Sequence, residues 1–131
     1  VAEVLFRLGC LFRSLGREDE ARTKLREAVI RAREFRSVRV EVLSLAHLAL
    51  LPGGDAGEAR ERFLICEQRL PLAAKMEARF LLWKATGDRS HLEAASELLA
   101  ALRRLAPGRD RGELVARVPL YREIAAAAAG A

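Results

Sequence analysis

Two cysteines and two histidines are the residues of this sequence whose side chains could do chemistry most readily. Cys10 and His47 form the one conceivable pair of a thiol nucleophile and its base. No third group stands at a spacing that would complete such a pair, and the two cysteines cannot make a metal site alone. We therefore predict a non-enzymatic chain with no catalytic residue, no metal and no cofactor. Both thiols, at Cys10 and Cys66, are expected to stay reduced, which is typical of the cytoplasm.

The chain carries an excess of basic side chains. Lys and Arg together number 23, Asp and Glu 18, and the formal net charge is +5. A basic surface can bind nucleic acid, and the densest basic cluster comprises Arg103, Arg104, Arg109 and Arg111. However, the acidic residues are interspersed with the arginines, which favours solvated helix faces on which Arg stems cover apolar surface. Nucleic acid is therefore an unlikely partner, and a basic helical module that binds nucleic acid or another anion is the alternative function.

Helices are the elements that must position these residues. Ala and Leu carry the apolar content, β-branched residues are scarce, and no run alternates apolar with polar residues, so no strand is predicted. No apolar run is long enough for a membrane span. The predicted helices cover 2–14, 18–34, 38–51, 56–70 and 72–85, then a sixth from the Ser90–Glu93 capping box to Pro107, a short one ending near 117 and a last one from Pro119.

Short turns join these helices in pairs, which makes the paired helices antiparallel neighbours. The predicted fold class is all-α, an α-solenoid of about three antiparallel helix pairs in residues 1–107 with a C-terminal capping segment in 108–131. The sixth helix has a broader apolar stripe than its partner can cover. We therefore expect residues 110–126 to fold back on it through Tyr121 and Ile124, with the alanine run fraying beyond Ala126. His91, in the first turn of that helix, is expected to be solvated.

Small and large apolar residues follow a fixed order in the first pair. A Leu-Gly step at Gly9 precedes an aromatic residue, a turn glycine at Gly16 and a small-large-small triplet ending at Ala28. Gly9 and Ala28 remove bulk where two helices approach closely, and Gly16 allows a positive φ in the turn. Two weaker copies follow, with His47 in the place of Gly9. The repeat positions are Leu8, Gly9, Phe12, Gly16, Ala21, Leu25 and Ala28 in the first copy, Ala59, Phe63, Cys66 and Pro71 in the second, and Trp83 in the third.

This order and spacing resemble the tetratricopeptide repeat, a helix-turn-helix unit of about 34 residues. The resemblance implies a non-catalytic protein–protein interaction module, either a scaffold or a regulator. Its first helices would line a concave groove that binds a peptide or a partner helix, supplied by another protein or by another domain of the same chain. A thiol on that face, at Cys10, would react faster than one in the core, at Cys66. The implied groove residues are Phe6, Cys10, Arg13, Ser44, Leu48, Leu51, Glu77, Leu81 and Lys84.

The strings "LLWKATGD" and "RVPLYREI" carry a second resemblance. They are similar to the end of the repeat region in large bacterial signalling proteins that place a Ser/Thr kinase, cyclase or ATPase module ahead of their repeats. The chain is therefore expected to be a fragment of such a protein, although it holds no kinase or ATPase motif itself. Neither the partner nor the oligomeric state follows from the sequence.

Overall fold

Seven α-helices follow one another in the computed structural model, which describes residues 1–105 and 118–130. Within these residues every regular element is helical, so the all-α prediction is confirmed. A single 3-10 turn follows the fourth helix. The elements are α1 (Ala2–Ser14), α2 (Glu18–Glu34), α3 (Val38–Ala49), α4 (Ala56–Cys66), the 3-10 turn (Glu67–Arg69), α5 (Leu72–Thr86), α6 (Arg89–Leu105) and α7 (Pro119–Gly130).

The helices pack in the order of the chain. α1 contacts α2, α2 contacts α3, and the series continues through α5 and α6 to α7. The first helices of successive pairs also touch, because α3 contacts both α1 and α5. This arrangement puts α1, α3 and α5 in one layer, with α2 and α4 behind them. The result is a short stack of helix pairs of the solenoid type.

Two hydrophobic cores fill the stack. The larger core joins α1 to α5, and its largest fully buried side chain is Phe63. The smaller core lies between α5, α6 and α7, where Met76 and Ile124 are completely buried. α7 therefore covers the α5–α6 pair, and Tyr121 packs at the edge of the same core. The alanine run is helical as far as Gly130 and does not fray beyond Ala126.

Gly9 is the closest point between α1 and α2. A Cβ added there would lie 2.5 Å from Cγ of Leu25, which is itself fully buried. Gly16 has a φ of +77° and ends α1 in the left-handed conformation that glycine adopts at little cost. Of the other repeat positions, the buried ones are Ala21, Leu25, Ala28, Ala59, Phe63 and Cys66, the half-buried ones are Leu8, Phe12 and Trp83, and Pro71 is exposed at the start of α5.

Helix ends differ from the predicted ones at four places, the smallest being α5, which ends at Thr86 rather than at 85. α3 ends at Ala49 rather than at 51, and α4 ends at Cys66, where the backbone tightens into the 3-10 turn before Pro71. α6 begins at Arg89, because Oδ1 of Asp88 accepts the hydrogen bond of the Ser90 amide at 2.9 Å. The predicted capping box at Ser90 is therefore wrong. The short helix predicted to end near 117 lies outside the described residues, as do Arg109 and Arg111.

Candidate interaction surfaces

The layer formed by α1, α3 and α5 brings most of the predicted groove residues together, but it does not leave them open. Four are buried, four are half-buried and only Lys84 is exposed. A peptide lying along this line would find the space already filled by the protein's own side chains. The buried four are Phe6, Ser44, Leu51 and Leu81, and the half-buried four are Cys10, Arg13, Leu48 and Glu77.

His47 lies at the centre of this layer and holds α1 against α3. Its ring meets the ring of Phe6 edge-on, with 5.5 Å between centroids, and its Nδ1 accepts a hydrogen bond from Nε of Arg13 at 3.2 Å. Burial, with the nearby charges of Arg13 and Lys84, lowers the pKa of His47 to about 3. The imidazole is therefore neutral at pH 7 and accepts the Arg13 hydrogen bond in that form.

The Cys10 thiol is held in the protonated form. Burial, together with the negative charge of Glu77, raises the pKa of Cys10 to about 11. The pKa of Glu77 is itself raised, mainly by burial. An activated pair of cysteine and histidine needs a thiolate beside an imidazolium, which requires the opposite shift of both pKa values. Cys10 and His47 thus share one layer without forming such a pair, and the arrangement suits packing rather than nucleophilic attack.

Leu48 does not face the predicted groove. It lines a cavity of about 120 Å³ on the opposite side of α3, between Arg22 and Arg26 of α2 and the start of α4. The expected equivalence of His47 with Gly9 is wrong for the same reason. Gly9 is the eighth residue of α1, whereas the eighth residue of α3 is Leu45, which also lines that cavity. The side chains of α3 are therefore rotated relative to the predicted assignment.

The layer of α1, α3 and α5 contains an open cavity of about 350 Å³, near the N-terminal ends of α3, α5 and α7. Its polar side chains are Arg39, which forms an ion pair with Glu3, and Glu77. Its apolar wall includes Leu43 and Tyr121. Of the nine predicted groove residues, Glu77 alone lines this cavity. The cavity is large enough for one side chain of a ligand rather than for an extended peptide.

The outer face of α1 is the surface that the sequence interpretation missed. Val4 and Leu11 fit one helical stripe with Leu5 and Phe12, but the structure separates them. Leu5 and Phe12 pack against the larger core, whereas the others point away from the protein. The fractional exposures are 80% for Val1, 59% for Val4, 51% for Leu11 and 59% for Leu15, with the half-buried Leu8 between them. We call these five residues the α1 outer face.

Equivalent positions on α3 are covered. α3 begins 36 residues after α1, so four residues of the α1 outer face, from Val4 to Leu15, match residues 36 further along. On α3 those residues are buried, and His47 faces α1 through its contacts with Phe6 and Arg13. The α1 outer face is thus the same type of contact surface without a covering helix among the described residues. The α3 counterparts, all buried, are Val40, Ser44, His47 and Leu51.

Arginines on the helix surfaces are largely interleaved with acids. Four of the ion pairs join residues three or four apart on one helix, which is the spacing of neighbours on a helix surface. Such pairs place a positive and a negative charge side by side on α1 and α2. They are Arg7–Glu3, Arg17–Glu20, Arg22–Asp19 and Arg31–Glu34.

His91 is buried rather than solvated, with 2% of its surface exposed. Its Nδ1 lies 3.0 Å from Nη1 of Arg79, which also bonds the carboxylate of Glu67 at 3.1 Å. The Arg79 guanidinium stacks over the ring of Phe63 at 4.7 Å. Burial, with the charge of Arg79, lowers the pKa of His91. The histidine therefore helps to join α4, α5 and α6 and makes no surface site.

Trp83 packs in the smaller core, with its ring centroid 5.6 Å from that of Phe80, so it serves packing as predicted. In the part of the chain that the structure describes, no helix is both long and apolar enough to cross a membrane.

Comparisons of the chain with protein-family models, with curated proteins and with solved structures give no match in any of the three. The assignment of function therefore rests on the surfaces described above.

Proposed function

We propose that this chain is a non-catalytic protein-interaction module, and that it binds an amphipathic helix on the α1 outer face. The observation that carries the proposal is the exposure of three large apolar side chains, Val4, Leu11 and Leu15, at positions whose counterparts 36 residues further along are buried. Contiguous exposed apolar surface of this kind marks interaction sites in proteins. A helix that covered it would extend an interface that the chain already makes between α2 and α3.

The spacing of the α1 outer face matches a helical partner. Val1, Val4, Leu8, Leu11 and Leu15 follow one another at alternating steps of three and four residues. This is the spacing of the contact line between two helices that cross at a small angle. The partner should therefore present small or apolar side chains at similar steps, as α2 does with Ala21, Leu25, Ala28 and Ala32.

The affinity of one helix for this face should be modest. Fully burying a large apolar side chain contributes about 1.5–3 kcal/mol, and these side chains are already partly covered. The cost of association offsets much of the gain. Micromolar or weaker binding is the expected range for an isolated helix, and a partner that also contacts neighbouring surfaces would bind more tightly. The partner helix can come from another protein or from another domain of the same polypeptide.

The concave face and a nucleic-acid interface are supported less well. Phe6, Ser44, Leu51 and Leu81 already fill the middle of the concave layer, and the remaining cavity is small. A nucleic-acid interface needs a continuous basic face, whereas many surface arginines here are paired with acids on their own helices. A helix-binding face on α1 requires no rearrangement of the core.

A labelled synthetic peptide with the sequence of residues 18–34 tests the proposal, because it reproduces the helix face that α2 presents to α3. We expect its fluorescence anisotropy to rise on titration with the 131-residue protein. The double variant Val4→Glu/Leu11→Glu should abolish the rise, because two carboxylates would be buried without partners. Circular dichroism melts establish that the variant is folded.

The matched control is Ile30→Glu/Ile65→Glu. Ile30 and Ile65 are exposed to a similar extent as Val4 and Leu11, at 57% and 60%, but lie on α2 and α4. This variant should bind the peptide as the parent chain does. Equal loss of binding in both double variants would mean that the peptide binds by general hydrophobicity, and the assignment of the α1 outer face would be wrong.

A further inference from the structure

Four arginines surround one cavity on the side of the protein away from the concave layer. The cavity has a volume of about 360 Å³ and lies where α2 ends, α3 begins and α4 ends. Its one carboxylate is Glu41, and Val38 forms its apolar part. We call this site the Arg pocket. Its arginines are Arg33, Arg36, Arg62 and Arg69.

Glu41 occupies the buried floor of the Arg pocket and binds two of the four arginines. Only 3% of its surface is exposed. Its Oε2 accepts hydrogen bonds from Nε of Arg33 at 3.0 Å and from Nε of Arg62 at 2.9 Å. Its Oε1 accepts a longer one from Nη2 of Arg62 at 3.3 Å. Each of these guanidinium groups therefore has a fixed edge on Glu41 and keeps further N–H donors for another acceptor.

The positive charge of the Arg pocket exceeds the negative charge. Glu58 adds one acid beside Arg33, at 3.6 Å. Within residues 1–105 and 118–130, Arg36 and Arg69 have no acidic side chain in ion-pair range, and Arg69 contacts only the sulfur of Cys66, at 3.6 Å. Four guanidinium groups thus face two carboxylates, which leaves a surplus of two positive charges in one cavity.

Arg36 has a backbone conformation that other residue types adopt more easily. Arg36 follows the end of α2 with a φ of +55°, the one positive φ among the described non-glycine residues. Glycine or asparagine is the usual choice at such a position. The long cationic side chain therefore costs some stability at this position, and it lines the Arg pocket.

We propose that the Arg pocket binds a phosphoryl group, either as free phosphate or on a phosphorylated side chain. A phosphoryl group carries close to two negative charges at pH 7, which matches the surplus. Its oxygens accept the paired N–H donors that guanidinium groups present. The Glu41 carboxylate holds Arg33 and Arg62 in place before the anion arrives, which lowers the cost of ordering them. This site is separate from the α1 outer face and does not depend on it.

Titration of the 131-residue protein with sodium phosphate, at pH 7.5 and constant ionic strength maintained with chloride, tests the proposal. Arginine Nε–Hε signals in nuclear magnetic resonance spectra report on the binding. We expect saturable shifts of a few of these signals with phosphate and none with chloride alone. The Arg36→Gln/Arg69→Gln variant should bind at least about tenfold more weakly, because the loss of a single charge-assisted hydrogen bond already lowers the affinity by about that factor.

Arg103→Gln/Arg104→Gln is the matched control, since it removes the same charge from exposed positions of α6. Its phosphate affinity should stay within about twofold of the parent value, since only long-range charge changes. If the double variant at the Arg pocket does not fold, Arg69→Gln alone replaces it, because Arg69 makes no ion pair among the described residues. An equal loss in control and pocket variants, or shifts that chloride reproduces, would overturn the proposal.

The same titration with O-phosphoserine distinguishes the two sources of the phosphoryl group. Tighter binding of phosphoserine than of phosphate would assign the Arg pocket to a phosphorylated side chain. Equal or weaker binding would assign it to free phosphate. Absence of saturable binding by either compound would overturn the proposal.

Discussion

At the scale of single residues, His47 and His91 have similar environments, although the sequence predicts solvent exposure for His91. Both are buried, and both lie with Nδ1 within hydrogen-bond distance of an arginine, Arg13 and Arg79 respectively. A proton on either ring would put a second buried cation beside the arginine. These histidines therefore stabilise the fold only in the neutral form.

Acid should destabilise the protein through His47. Its pKa is about 3 in the folded chain and 6.5 in the unfolded chain, so between these values only the unfolded chain binds the proton. Stability therefore falls as pH falls below 6.5, by about 1.4 kcal/mol per pH unit for this histidine. Urea melts at pH 7.5 and pH 5 give the free energy of unfolding at each pH. Between these two values it should fall by about 2 kcal/mol more in the parent chain than in His47→Gln. The amide oxygen of the glutamine can still accept the hydrogen bond of Arg13.

The difference in pH dependence between the parent chain and His47→Gln separates the contribution of His47 from those of the other titratable groups. The pKa of Glu77 is raised in the folded chain, so protonation of Glu77 in acid stabilises the fold, which is opposite to the effect of His47. This contribution is the same in the parent chain and in His47→Gln. His91→Gln should retain the His47 part of the pH dependence. Parallel pH dependence of the parent chain and His47→Gln would show that His47 takes up its proton in the folded state.

Ala28 is a position at which added side-chain volume should lower the free energy of unfolding. It is completely buried in the larger core, beside the close approach of α1 and α2 at Gly9. Ala28→Leu should reduce the free energy of unfolding by about 1–3 kcal/mol, because the added atoms force neighbouring side chains out of their preferred conformations. Ala100→Leu, the same change at an exposed position of α6, should be nearly neutral. Equal urea midpoints for the two variants would contradict the tight contact.

At the scale of helices, α7 has the clearest structural role. Its Ile124 is fully buried against α5 and α6, while Arg122 and Glu123 face the solvent. Removal of residues 110–131 should uncover Met76, Phe80 and Leu99 and cause self-association, measured by sedimentation velocity. Glu123→Ala in the full chain should remain as monodisperse as the parent. A truncated chain that stays monomeric with an unchanged Tm would show that α7 is dispensable.

Helix positions could be predicted from the sequence because their ends are local features. Gly16, Gly87 and Pro71 stop or start helices through their own backbone geometry, and their effects need no knowledge of the fold. The sequence prediction puts the cap of α6 two residues late, at Ser90 instead of Asp88, because both residues suit a cap. Packing of His91 into the interior favours Asp88, and that packing is not visible in a single helical pattern.

The rotation of α3 could not be predicted, because it depends on loop length. α2 and α4 are related by a shift of 38 residues, and Ala21, Leu25 and Ala28 match buried residues of α4 on that shift. α1 and α3 are related by a shift of 36, because the loop before α4 is three residues longer than the loop before α2 while α3 is one residue shorter than α1. A difference of two residues turns a helix by about 200°. The predicted groove positions on α3 are therefore wrong by the same rotation. Leu48, for example, lines the cavity between α2 and α4 rather than the predicted groove.

At the scale of the whole molecule, charge and apolar surface are distributed differently. Ion pairs join neighbouring residues on α1 and α2, and four arginines meet in the Arg pocket between two helix pairs. The α1 outer face, at one end of the stack, carries four exposed large apolar side chains. The two candidate binding sites are therefore on separate surfaces, and a variant of one should leave the other intact.

The two ends of the stack differ, and this decides how copies of the chain can add to one another. A filament grows when each subunit carries two complementary faces that do not coincide. α1 offers an open apolar face, but the outward side of α7 carries Arg122, Glu123 and small alanines, with no large exposed apolar residue among the described ones. Among the described residues, α7 therefore offers no apolar counterpart to the α1 outer face, and the two ends of the stack do not present matching surfaces.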